Sequence, residues 1–203
     1  MPVNEMSAFR QSNDKRGRNA EHAQEPRKVL DKLKKCFDEG KHSDERHQGL
    51  RKIKSNADAV QGHLAKAIHN FEAMTSFHDL QYSDWSASAS FYALYHGLLA
   101  ILAQRGYESR NQSCTFALVE DFITKGEMKH LTLADLKEIF DKDVTVDLAH
   151  SNKILDIRER MQYSTRTMLA EEEFQILKKR TKELFDKIRL ELEWFTLGTS
   201  KLG

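Results

Sequence analysis

Proline is almost missing from this chain. Of 203 residues only Pro2 and Pro26 are proline, so nothing from Arg27 onward carries the strongest helix breaker. The marks of a sheet, short β-branched runs bounded by Asn-Gly or Asp-Gly turns, are missing too, and the chain reads as all-α. Cysteine is scarce. Cys36 and Cys114 are too few for a disulfide framework and stand at no metal-ligand spacing. No apolar stretch opens the sequence, as a secretory signal would require. The longest apolar run, Phe91–Ala103, is broken by His96 and Gly97 and is shorter than the ~20 residues that cross a bilayer. The expectation is a cytoplasmic protein in a reducing compartment, with no membrane partner.

An excess of one charge is lacking as well. The net charge is +1, so no global field draws the molecule onto nucleic acid or lipid. The balance is uneven along the chain, however. Residues 1–55 hold fourteen Lys and Arg against nine Asp and Glu, and the remainder holds eighteen against twenty-two. A basic N-terminal portion therefore precedes a mildly acidic body.

Residues 1–25 are polar with almost no apolar periodicity and read as a disordered basic arm. Residues 26–55 read as a helical extension, opened by Pro26 at a first helical position and ended near Gly40. Residues 56–197 form the main helical body, and residues 198–203 a tail. One long helical stretch is expected from Asp44 to Phe77, with a break near Ser55–Asn56. Ser83 is an N-cap candidate for the next helix and Gly106 its stop. Phe116 to Ile123 mark a short helix, and Thr132 with Asp135 resembles a capping box for another. Leu148, Ile154, Leu155, Ile157 and Met161 mark the next. In the last helix, Ala170–Phe195, the residues Phe174, Leu177, Leu184, Ile188, Leu192 and Phe195 share a face expected to pack on the helix after Ser83.

The segment Ser83 to Ala100 says most. It has the spacing of a buried helix but carries Tyr92, Tyr95 and His96. Tyr92 and His96 are four apart, so they share a face, and each brings a polar tip that needs a partner when buried. The run Ser88-Ala89-Ser90-Phe91-Tyr92-Ala93-Leu94-Tyr95-His96, followed by Gln104-Arg105-Gly106-Tyr107-Glu108, resembles the signature helix and turn of the HEPN domain, a small helical module. Ile157-Arg158-Glu159-Arg160-Met161-Gln162-Tyr163 is similar to a second family segment, and Glu171 to Ile188 to its closing helix. The resemblance covers residues 57–192. It implies an antiparallel helical bundle of four to five core helices in a cytosolic prokaryotic toxin–antitoxin or defence protein. Its implied partners are a second copy of the chain, RNA, and a nucleotidyltransferase or other operon neighbour.

Active members of that family are ribonucleases with an Arg-x(4–6)-His motif. A metal-free nuclease needs a base for the ribose 2′-hydroxyl and a cation for the charged phosphorane. Here only Arg16 and His22 stand at that spacing, inside the basic arm, and Ala89 occupies the position of the family's arginine. The catalytic candidates are therefore His96 and Arg158, brought together in space. The alternative role for Arg158 is a structural bridge to Asp84 or Asp156. Candidate ligand or RNA contacts are Tyr92, Tyr95, Arg105, Tyr107, Arg110, Arg160 and Tyr163. Glu127 with His130, and Asp147 with His150, have a metal-binding spacing but fall at expected helix starts or loops, so neither a metal nor a cofactor is expected. A Gly-x-Ser-x-Gly elbow and a Gly-rich phosphate loop are lacking. Three readings stay open. One is an RNA- or partner-binding protein without nuclease activity. Another is a metal-independent ribonuclease using His96 and Arg158. The third is a protein-interaction or immunity protein with no nucleic-acid role.

Overall fold

Sixteen of the 22 residues from Ser83 to Gln104 are buried, and the rest of the fold is what covers them. The computed structural model describes residues 15–41, 48–140 and 154–199. In chain order these form α1 (Lys15–Lys41), β1 (Leu50–Lys52), α2 (Ala57–Asp79), α3 (Ser83–Gln104) and β2 (Tyr107–Ser109), then α4 (Gln112–Thr124), α5 (Leu133–Ile139), α6 (Ile154–Tyr163) and α7 (Glu171–Thr199). The fold is an all-α bundle with one very small sheet. Among the described helices only α3 is long and apolar enough to cross a membrane, and 83% of that apolar window lies inside the bundle. Its apolarity serves the core.

α2 and α3 form an antiparallel hairpin. Asn56 opens α2, its side chain accepting from the Ala59 N–H at 3.1 Å. The turn into α3 places Gln81 at φ 66°, the left-handed region, where a non-glycine residue is uncommon. Small residues let the two helices close up. Ala67, Ala89 and Ala93 are buried, and the buried Ser86 hydroxyl donates to the Met74 carbonyl at 2.8 Å. On its other side α3 meets α7. The Ser90 and Thr181 hydroxyls lie 2.6 Å apart in the core, and Gly97 admits Ile188 so closely that a Cβ at Gly97 would sit 2.9 Å from Ile188 Cγ2. The expected apolar face of the last helix is the one used: Phe174, Leu177, Leu184, Ile188 and Leu192 are buried, and Phe195 at its end is half-buried.

The capping box read from Thr132 and Asp135 is present, with both reciprocal hydrogen bonds made. The turn before it is held from a distance. The carboxylate of buried Glu191 accepts from the backbone N–H groups of Lys129 at 2.6 Å, of His130, and of Leu131 at 3.0 Å. Three donors that no helix satisfies are thereby collected by one side chain.

Four features differ from the sequence reading. Ser83 does not cap α3: it lies inside the helix, whose N-cap position is Tyr82 with no side-chain cap bond, and its hydroxyl instead accepts from the Leu169 N–H. The stretch expected as one helix from Asp44 does break at Asn56. Its front part, however, contains a strand: β1 pairs antiparallel with β2, Leu50 opposite Ser109 and Lys52 opposite Tyr107. A three-residue strand has too little alternation to show in sequence, and its partner lies beyond α2 and α3. The first helix starts at Lys15, ahead of Pro26. Ala20, Glu21, Ala23, Gln24 and Glu25 are good helix formers that need no apolar stripe. Residues 1–14 of the expected arm, residues 200–203 of the tail and the Asp147–His150 spacing lie outside the described residues. Finally, Cys36 of α1 and Cys114 of α4 are joined in a buried disulfide. Two cysteines make no framework, but a single pair needs only that two elements meet.

Candidate functional site

The outer face of α3 carries the residues with chemistry. Trp85, Ser88, Tyr92 and His96 recur at three- and four-residue intervals, so they share one side of the helix. Trp85 is 59% exposed and Tyr92 39%, in a helix whose other aromatic rings are buried. The same side continues to Leu99 and Ala103. There it becomes one wall of a cleft of about 660 Å³, completed by residues 53–57 before and at the start of α2, by His63, and by Tyr107, Glu108 and Ser109 of β2. From Trp85 to Ala103 this face is roughly 27 Å long at ~1.5 Å per residue.

His96 has a partner that its own sequence neighbourhood does not reveal. Across the hairpin, His63 of α2 places its Nδ1 3.2 Å from His96 Nδ1. The two imidazoles lie nearly parallel, with centroids 5.5 Å apart and planes inclined by 29°. Partial burial, then His63 and Lys66 as neighbouring cations, bring the His96 pKa down to about 4. Burial also lowers that of His63, opposed by Glu108. Both rings are therefore neutral near pH 7, with one N–H shared between them.

Arg158 reaches α3 from α6. Its guanidinium lies over the Phe91 ring at 4.3 Å and over the Tyr92 ring at 5.8 Å. Among the described residues it makes no ion pair with Asp84 or Asp156, and its buried Nε finds no hydrogen-bond partner there. The expected bridge is thus not made; the cation is seated on aromatic faces instead. The chain following α6 returns along α3 toward its amino end, where the Leu169 N–H donates to Ser83 Oγ at 2.8 Å. Tyr163, at the end of α6, is 81% exposed on this path.

The other sequence-derived contacts are drawn inward. Tyr95 is buried, stacked between Phe91 and Phe116, its hydroxyl 3.4 Å from Thr115 Oγ1 and its pKa raised by burial. Arg105 has a 7% exposed side chain. It lies over Phe122 and Phe195 and donates to the Glu127 carbonyl at 2.7 Å, so it ties the end of α3 to the α4–α5 link. Arg160 pairs with Glu173 at 2.8 Å. Neither arginine offers a free edge to a phosphate. Tyr107 packs at a tilt against Phe37 and Phe122 while lining the cleft. Arg110 is exposed and pairs with Glu108 at 3.2 Å. Of the expected set, Tyr92, Arg158, Tyr163 and His96 remain at the surface of α3 and α6.

His63 is the functional candidate missed in the sequence. Its signal was available in the hairpin: once residues 57–79 and 83–104 are set antiparallel about a turn near Gln81, position 63 falls opposite 96 to within one helical turn. Among the described residues, no group of three or more His, Cys, Asp or Glu side chains is arranged around a common point. No family model, curated protein or solved structure matches this chain.

Proposed function

We propose that the chain is an RNA-binding helical bundle without nuclease activity, taking a single strand along the outer face of α3. The observation that carries this reading is Arg158. It is a half-buried guanidinium with no carboxylate partner among the described residues, seated on Phe91 and Tyr92, beside a ring that is itself open to solvent. Single-stranded nucleic acid is held by aromatic faces on which bases stack and by cations that track the phosphates. Trp85 and Tyr92 supply faces about 10 Å apart at ~1.5 Å per helical residue, and Arg158 supplies the charge. The HEPN resemblance supports the same ligand. It adds a prokaryotic defence or toxin–antitoxin setting in the cytoplasm, a homodimer and an operon partner as parts of the proposal.

The nuclease reading is weaker for a chemical reason. A general base works best with a pKa near the working pH. His96, at about 4, is a poor proton acceptor near neutrality, and its Nδ1 is already engaged by His63. The test is fluorescence anisotropy with a labelled single-stranded oligouridine over a salt series. Affinity should fall with rising salt. Tyr92→Ala and Arg158→Gln should each weaken binding about tenfold or more, since stacking is worth ~1–3 kcal/mol per base. Arg158→Gln should also lower the salt slope by about 0.7 for one lost phosphate contact. The RNA should stay intact throughout. Absence of binding at low salt, or unchanged binding in both variants, refutes the proposal; cleavage that His96→Gln abolishes establishes the nuclease instead.

A further inference from the structure

Cys36 and Cys114 bracket the small β1–β2 ribbon from its two sides. Cys36 belongs to α1, whose last turns lie directly on β1. Gly40 meets the Leu50 backbone, and Gly49 the Cys36 backbone, so closely that neither has room for a Cβ. Arg51 Nε donates to the Gly40 carbonyl at 2.7 Å, and Leu50 is buried. Cys114 belongs to the first turn of α4, which follows β2. Its N–H donates to Asn111 Oδ1 at 3.1 Å, and the neighbouring Thr115 hydroxyl donates to Ser109 Oγ at 2.8 Å. Each strand between these anchors has three residues, and a two-stranded ribbon is marginal by itself. The ribbon also walls the cleft. Residues 53–57 continue β1, with the Ile53 N–H donating to the Gly106 carbonyl at 2.9 Å. Tyr107 lines the cleft with its ring 6.1 Å from that of Phe37, the residue after Cys36. We propose that the Cys36–Cys114 bond is a reducible clasp on the cleft. Oxidised, it holds α1, the ribbon and the cleft wall in place; reduced, it lets α1 and β1 come away together and opens the cleft on that side.

The reductant is a dithiol. One of its thiolates attacks Cys36 Sγ, forms a mixed disulfide there and expels Cys114 as a thiolate. Its second thiol then attacks the mixed disulfide and expels Cys36. Two electrons pass to the cysteine pair, the dithiol ends as a disulfide, and the two protons it gives up go to the two cysteine sulfurs. Cys114 is the better leaving group, because a thiol of lower pKa leaves faster. A helix amino terminus and a nearby cation both lower a thiol pKa. Cys114 lies in the first turn of α4, and Lys32, one turn before Cys36, donates to the Ser113 hydroxyl beside it. Both sulfurs are buried, so attack follows a local opening of α1 rather than unfolding of the whole chain. That opening leaves the rest standing: α1 lies against α4 and β1, whereas α2, α3 and α7 pack on one another. The inference is independent of the RNA reading.

Hydrogen exchange read by mass spectrometry provides the test, on the intact chain oxidised in glutathione disulfide and then reduced in dithiothreitol. Alkylation followed by intact mass counts the free thiols in each state. On reduction, the amides of β1, of Ile53 and of the second half of α1 should exchange about tenfold faster or more. Those of α3 and α7 should keep their rates, and reoxidation should restore the first pattern. Cys36→Ser with Cys114→Ser should show the reduced pattern and ignore dithiothreitol. If that double variant misfolds, the two states of the native chain decide alone. A pair that stays reduced in glutathione disulfide, exchange that reduction leaves unchanged, or α1 released while β1 stays protected overturns the proposal. Loss of protection in α3 overturns it as well, by making the bond a staple of the whole fold.

Discussion

At the scale of single residues, burial decides which polar groups are free to act. Tyr92 and Tyr95 are three positions apart on one helix, yet one faces solvent and the other is sealed among Phe91, Phe116 and Thr115. The sequence marks both as tyrosines in an apolar run. Only the positions of α4 and α6 against α3 separate them. Tyr92, His96 and Arg158 were legible as candidates because their residue types are costly in a core. Arg105 and Arg160 carried the same signal and proved to be held by Glu127 and Glu173, because an arginine is as useful for tying elements together as for binding phosphate. His96 has a measurable signature. Its folded pKa of about 4 lies below the ordinary 6.5, so between these values the unfolded chain binds a proton that the folded chain refuses. Stability is therefore fully present above pH 6.5 and declines as pH falls toward 4. Solvent access reduces the size of this effect but not its sign. Denaturant melts across this range should show a shallower pH dependence for His96→Gln than for the native chain.

At the scale of elements, local signals were read well and remote ones were not. The Thr132–Asp135 box, the break at Asn56 and the buried face of α7 are each encoded within a few residues. β1 and β2 are not, since neither strand is stable until α2 and α3 have folded between them. Close packing between α3 and α7 leads to a prediction that opposes a common rule. Gly-to-Ala in a helix interior usually gains up to ~1 kcal/mol from propensity. At Gly97 the new methyl would press on Ile188, and overpacking of a filled core costs ~1–3 kcal/mol. Gly97→Ala should therefore lower the midpoint of chemical unfolding. A raised midpoint would mean that α7 moves away from α3 at little cost.

At the scale of the whole molecule, the all-α architecture was readable from missing prolines and helical spacing. The way its N-terminal helix is attached was not. Among the described side chains, α1 rests on α4 through Leu33 and Cys36, flanked by the half-buried Val29 and Phe37. The Cys36–Cys114 bond supplements this contact across a sequence separation of 78. On the chain-entropy account a cross-link of that span contributes about 4.5 kcal/mol by restricting the unfolded ensemble. Removing it through Cys36→Ser with Cys114→Ser should lower the unfolding free energy by up to that amount. α1 should then become the first segment open to protease, while α2, α3 and α7 stay protected. Equal protease resistance of α1 with and without the bond would show that packing alone holds it.

That bond also changes what the molecule is as a mechanical object. A force applied to its two ends passes from Cys36 directly to Cys114, so β1, α2, α3 and β2 lie off the line of tension. At about 3.5 Å per residue, roughly 270 Å of chain is taken out of the pulled contour. A machine that threads the oxidised protein from one end must then admit a closed loop rather than a single strand. The hairpin bearing His63 and His96 sits inside that loop, shielded from the pull until the sulfurs part.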